Sequence, residues 1–285
     1  QKVDVPSLNI PDYTISLLLC GKVWSATETE DEQSVAAVKI IDTSDKRSKA
    51  RFESELELWN ICEHKHIIPV IQIYEYSETA VIVMEQVHTD LAKIIRTHPN
   101  GVTHSFARTV FSQICTAVKF LSEKQIAHLS LEPEHILLRG QGMKVSAQLT
   151  NFGSATKYHP GINIKTGLVG SDFYRAPEIE SKKPYDPHLA DIWSLGIILH
   201  ELCAGTWPYT GFDYSEALQN SRQGKIVISP LLAPNSPQRN LIEKILQLHP
   251  PSRISIDEIL TDPWLKQKKS TRSFSEGTPQ IVNPT

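Results

Sequence analysis

Apolar and polar positions alternate along the first third of the chain and then switch to a helical period. Residues 13–19, 22–27 and 36–41 are short β-branched or aromatic runs broken by turn-forming residues, which predicts an antiparallel meander. Over 49–63, Phe52, Leu56 and Trp59 recur three or four apart among charges, the spacing of an amphipathic helix. Two more strand-like runs, 70–75 and 80–85, flank Ser77, Glu78 and Thr79 at a turn. From His104 onward the period is helical: 106–123 is long and amphipathic, and 191–204 is nearly all apolar, which predicts a helix buried on every side. The expected architecture is a small β-rich lobe to about residue 86 and a larger helical lobe to about residue 268. Residues 269–285, rich in Ser, Thr, Pro and Gly, are expected to be a disordered tail. Around its start, Lys266, Lys268, Lys269 and Arg272 lie beside Ser270, Thr271, Ser273 and Ser275, a segment suited to modification by a basophilic kinase.

Composition narrows the class without changing this picture. Hydrophobic residues make up 40% and charged residues 21% of 285 residues, a globular balance that excludes disordered, collagenous and coiled-coil chains. The 29 basic and 32 acidic residues leave a charge of −3, so neither a nucleic acid nor a membrane is expected as a partner. The densest apolar run, 193–202, contains His200 and Glu201 and is far shorter than the roughly 20 residues a spanning helix needs. Residues 1–6 carry no basic segment leading into an apolar run, so no signal peptide is expected in the sequence shown. Cys20, Cys62, Cys115 and Cys203 are scattered, which reads as reduced packing thiols in a cytoplasmic (or nuclear) protein.

The candidate chemistry lies in an ordered series of short motifs. Lys39 ends Ala-Ala-Val-Lys on the third predicted strand; alone, such a lysine is an ordinary solvated edge residue. It is followed by Glu55, by Ile82-Val83-Met84-Glu85, and by His128-Leu129-Ser130-Leu131-Glu132-Pro133-Glu134-His135. Asn151-Phe152-Gly153, Ala176-Pro177-Glu178, the run 191–196 and Arg253 complete the series. In that order and spacing the chain resembles the eukaryotic protein kinase superfamily over roughly residues 10–266. The late motifs are most similar to Ser/Thr kinases of the calmodulin- and AMP-regulated type. The resemblance implies an α+β, two-lobed protein kinase fold over about 10–268, with the lobes meeting near residues 86 and 87. It also implies a nucleotide pocket built from Val23, Ala37, Lys39, Glu55, Glu85, Val87 and Leu137. The Lys39–Glu55 pair has a second reading, in which it locks the helix to its lobe without any nucleotide.

Set against the family's pattern, several chemical positions differ. Ser16 and Leu18 stand where the first two glycines of the phosphate-covering loop belong, and Leu18 is expected to spoil that cradle. Ser130 replaces the aspartate that takes the substrate's proton, and losing a positioned general base costs roughly 10²–10⁴-fold. Glu132 replaces the lysine that steadies the phosphoryl group, while His135 and Asn151 replace the two metal-binding residues. Gly167 stands at the usual activation-loop phosphosite, and Leu129 replaces the arginine that would receive its phosphate. His128 and His135, seven apart with no cysteine nearby, do not suggest a metal site. These differences lead to the expectation of a pseudokinase. On that reading the chain is not an enzyme, needs no cofactor or metal, and binds ATP weakly and without metal. It would regulate or scaffold protein partners such as an active kinase or another signalling protein. The alternative is a weak or metal-independent Ser/Thr kinase that still binds ATP.

Overall fold

The computed structural model describes residues 8–31, 33–140 and 144–266. The expected tail, 269–285, lies outside the described residues.

The alternating N-terminal pattern folds as predicted into one antiparallel sheet. Its strands are β1 (Tyr13–Cys20), β2 (Val23–Glu28), β3 (Val35–Asp42), β4 (Val70–Glu75) and β5 (Thr79–Glu85), in spatial order β1-β2-β3-β5-β4. Because successive side chains point to opposite faces, the sheet sorts its residues into two cores. Ala37, Ala80, Ile82 and Met84 face the main core, while Trp24, Ala26, Ala36, Val38, Val81 and Val83 form a smaller cluster on the outer face. Leu18 packs against that outer cluster. Its branched side chain therefore lies on the face opposite Ala37. The β1–β2 connection is a tight turn at Gly21, whose φ of +51° suits glycine.

Helix α1 (Lys46–Asn60) lies on the inner face, starting and ending three residues earlier than the apolar period suggested. The start is set by Asp45, whose side chain accepts from the backbone N–H groups of Arg47 and Ser48. The helix buries Phe52, Glu55, Leu58 and Trp59.

The second lobe opens with β6 (Thr89–Asp90), α2 (Leu91–Arg96), the long α3 (His104–Glu123) and β7 (Ile126–Ala127). A 3₁₀ turn at Pro133–His135 then leads into β8 (Ile136–Arg139), β9 (Ser146–Leu149) and β10 (Thr156–Lys157). Helices α4 (Pro177–Glu180), α5 (Pro187–Ala204), α6 (Tyr214–Arg222), α7 (Pro237–Ile245), α8 (Ile256–Thr261) and α9 (Pro263–Lys266) complete it. Helix α5 begins at Asp186 and Pro187 rather than at Asp191, since Asp186 caps the N–H groups of His188 and Leu189. From Ala190 to Ala204 every residue of α5 is buried, as its unbroken apolar run predicts. Of the cysteines, Cys62, Cys115 and Cys203 are buried, but Cys20 is exposed and so is not a packing thiol. Among the described residues no helix is long and apolar enough to cross a membrane. The expected two-lobed α+β architecture is the one observed.

Candidate active site

The upper wall of the cleft follows from strand pairing. Val23 sits opposite Lys39 in the β2–β3 register, and Ala37 lies two residues earlier on the same face as Lys39. Leu137, half-buried on β8, packs against the same main core as Val23 and Ala37. Helix α1 presents buried Glu55 to this wall, and Lys39 Nζ meets Glu55 Oε1 at 2.5 Å. Glu85, at the end of β5, is paired through its side chain with Arg139 of β8. Val87, two residues on, is half-buried against the main core.

The floor of the cleft is the loop between β7 and β8. Asp191 of α5 reaches up into it and accepts the backbone N–H groups of His128 at 2.6 Å and Leu129 at 2.8 Å. Leu129 holds a left-handed φ of +57°, an unfavourable conformation for a branched side chain that these bonds help to fix. Burial pushes the Asp191 carboxyl up to about 7, against the pull of its two N–H donors. His128 is fully buried and held down to about 3, chiefly by desolvation, so it is neutral.

Four positions singled out by their departures are brought together by this loop and by Asn151. Asn151 adopts φ +66°, which asparagine tolerates, and its amide bridges the two walls. Its Oδ1 accepts from Lys39 Nζ at 3.1 Å, and its Nδ2 donates to His135 Nε2 at 2.8 Å. With Nε2 accepting, His135 carries its proton on Nδ1 and directs it to the Ser130 carbonyl at 2.8 Å. The Ser130 hydroxyl lies 3.3 Å from the same nitrogen, and Glu132 Oε1 lies 3.1 Å from it. Burial lowers the His135 imidazole, so this ring too is neutral near pH 7. A continuous polar path therefore runs from Glu55 through Lys39, Asn151 and His135 to Ser130 and Glu132.

Ser171, not among the residues singled out from the sequence, donates its hydroxyl to Glu132 Oε2. It follows Gly170, whose φ of +76° brings the segment so close that a Cβ there would lie 2.8 Å from the Leu129 carbonyl. The signal was the Gly170-Ser171 step five residues ahead of Ala176-Pro177-Glu178. Further support surrounds the site. Phe152 stacks on Trp59 of α1 at 5.5 Å and meets the His128 ring edge-on at 5.1 Å, joining the lobes. Arg253 grips Glu178 of α4 through two bonds of 2.6 and 2.8 Å.

The side-chain types a nucleotide would need are present: Val23, Ala37 and Leu137 are apolar residues in or against the main core, and Lys39 is a cation held by Glu55. For a divalent metal the donor set is thin: Asn151 Oδ1 is a neutral oxygen, His135 an imidazole, and Mg²⁺ favours carboxylate and phosphate oxygens. Among the described residues no group of three His, Cys, Asp or Glu side chains is arranged to hold a metal ion.

Residues 19–265 match the model of the protein kinase domain. The chain is 30% identical over 268 residues to the human serine/threonine-protein kinase ULK3, covering 91% of this chain and 56% of that protein. It is 29% identical over 261 residues to human NUAK family SNF1-like kinase 2, covering 91% and 40% respectively. A probable serine/threonine-protein kinase MARK-A of Dictyostelium discoideum is 28% identical over 265 residues, covering 92% and 24%. The chain thus spans about half, or less, of the length of these relatives. The matches correct two expectations. A chain that is not an enzyme is contradicted by relatives named as Ser/Thr kinases and by the kinase domain itself, which point to a protein kinase. A chain that needs no cofactor is contradicted likewise, because this domain normally uses ATP with a metal ion. In the cleft the substituted side chains are not isolated losses: His135 lies against Glu132 and accepts from Asn151.

Proposed function

Starting from a chain that belongs to the protein kinase domain family, we propose that it is a slow Ser/Thr protein kinase acting on protein substrates in signalling. Adenine enters between Val23 and Ala37 above and Leu137 below, with the backbone of Glu85 and Val87 along its edge. Lys39, fixed by Glu55, takes the α- and β-phosphates. A metal ion arriving with the nucleotide would find in Asn151 Oδ1 one neutral side-chain oxygen, which already accepts from Lys39, and would depend on the phosphates for charge. When bound, that ion neutralises charge on the transferring phosphate. The chain's own part is to place the nucleotide, exclude water beneath the β1–β2 turn, and bring the substrate hydroxyl over the loop 128–135.

The observation that carries this reading is the Lys39–Glu55 pair at 2.5 Å, with Asn151 at 3.1 Å from the same ammonium. A cation held on both sides at the mouth of an apolar slot is positioned to receive phosphate. The test is ³²P transfer from ATP to casein or to the chain itself, with Mg²⁺ or Mn²⁺, alongside Lys39→Ala. Transfer should be measurable and should fall at least tenfold in the variant. Transfer no greater than that of Lys39→Ala under either metal overturns the proposal.

A further inference from the structure

We propose that Glu132 is the general base of this kinase, taking the substrate's proton in place of the residue that Ser130 has replaced. This rests on the kinase reading above and deepens it by assigning a catalytic residue.

Ser130 cannot serve, because its neutral hydroxyl has no basic form near pH 7. The loop 128–135 holds two carboxylates. Glu134 points outward, its side chain 53% exposed and 3.8 Å from Arg96 of α2. Glu132 points inward, its side chain 11% exposed. Its Oε2 accepts from the hydroxyl of Ser171, so the carboxylate is oriented toward a serine hydroxyl donor. An ionised carboxylate has about four lone-pair sites. Ser171 and His135 Nδ1 leave room for a further donor. Position agrees with this role: only Asn151 and His135 separate Glu132 from Lys39, the phosphate-side cation.

The electrostatic setting suits a base. Burial first, and then the neighbouring Glu134 charge, push the Glu132 carboxyl up to about 7, near the pH at which a general base is most effective. The titratable groups near it are His135 and Glu134 on its own loop. From the activation segment, Arg175 is committed to Asp172, Glu180 and the carbonyls of Val169 and Gly170. Burial lowers the His135 imidazole from its ordinary value.

In the step, the substrate hydroxyl gives its proton to a Glu132 oxygen while its oxygen forms a bond to the γ-phosphorus of ATP. The bond from that phosphorus to the β–γ bridging oxygen breaks, and its electron pair leaves with ADP. Glu132 then releases the proton to water.

The test uses the full chain with ATP, Mg²⁺ and a serine peptide. Glu132→Gln should lower kcat by roughly 10²–10⁴-fold with the KM for ATP changed less than threefold. Glu134→Gln should leave kcat within twofold. The wild-type rate should rise with pH to a plateau above about 7, and that acid limb should vanish in Glu132→Gln. Glu132→Asp, which keeps a carboxylate, and Ser130→Asp added to Glu132→Gln should each recover activity, and melting curves establish that every variant is folded. If the wild type transfers phosphate and folded Glu132→Gln transfers it equally well, Glu132 is not the base and the kinase reading stands. If the wild type transfers no more than Lys39→Ala, the kinase reading fails and takes this assignment with it.

Discussion

Replacing Arg253 by Ala should cost about 3–5 kcal/mol of stability, the range for breaking a buried ion pair from one side. The Arg253 side chain is 0% exposed and Glu178 is 13% exposed. Besides its two bonds to Glu178, the guanidinium donates to the Leu189 carbonyl at 2.7 Å and the Gln247 carbonyl at 3.0 Å. It also lies 5.0 Å from the Trp193 ring centre. Losing the cation–π contact would contribute about 2 kcal/mol. The stranded carboxylate is the larger effect, because at 13% exposure water only partly replaces the lost partner. At roughly 2–4 °C per kcal/mol for a domain of this size, Tm should fall by roughly 6–20 °C. Circular dichroism melts and urea titrations of the purified chain measure both quantities. The double variant Glu178→Leu with Arg253→Met should regain most of the loss, since no charge is then left buried alone. A loss below about 1 kcal/mol for Arg253→Ala, the worth of an exposed pair, would refute the reasoning.

Two other outcomes follow from the same structure. Glu132 has a folded-state value of about 7 against 4.5 for the ordinary carboxyl, so the unfolded chain releases a proton that the folded chain keeps, and wild-type stability drains away as pH rises through that window. The Tm of Glu132→Gln relative to wild type should therefore climb between pH 4.5 and 7; a pH-independent difference in differential scanning calorimetry would count against the buried, raised carboxyl. Gly205 ends α5 at φ +72°, and a Cβ there would lie 2.4 Å from the Pro99 backbone, whereas one on Gly21 would meet open space. Gly21→Ala should cost only the left-handed penalty of about 1–2 kcal/mol and Gly205→Ala distinctly more, so equal losses in urea titrations would contradict the packing described.

The elements and their order were written in the chain's periodicity, because burying one face of a strand or helix constrains residues only two to four apart. That is why 70–75 and 191–204 could be read directly, with errors confined to the ends, where single capping side chains such as Asp45 and Asp186 decide. Lys39 and Glu55 were legible as well, but only through the resemblance to the kinase family, which implies a strand–helix ion pair at these two positions. The meaning of the changed positions was not. Read singly, Ser130 is a missing base, Glu132 a misplaced charge, His135 and Asn151 lost ligands. Only the tertiary structure joins Asn151 to His135 across 16 residues and Ser171 to Glu132 across 39. It also turns Leu18 away onto the outer face of the sheet. No local pattern encodes such contacts, because they depend on where the chain returns after whole elements have packed. The charge and proton affinity of a side chain are set by whatever lies beside it in space, so the identity of a residue was fixed by the sequence while its chemistry waited on the fold.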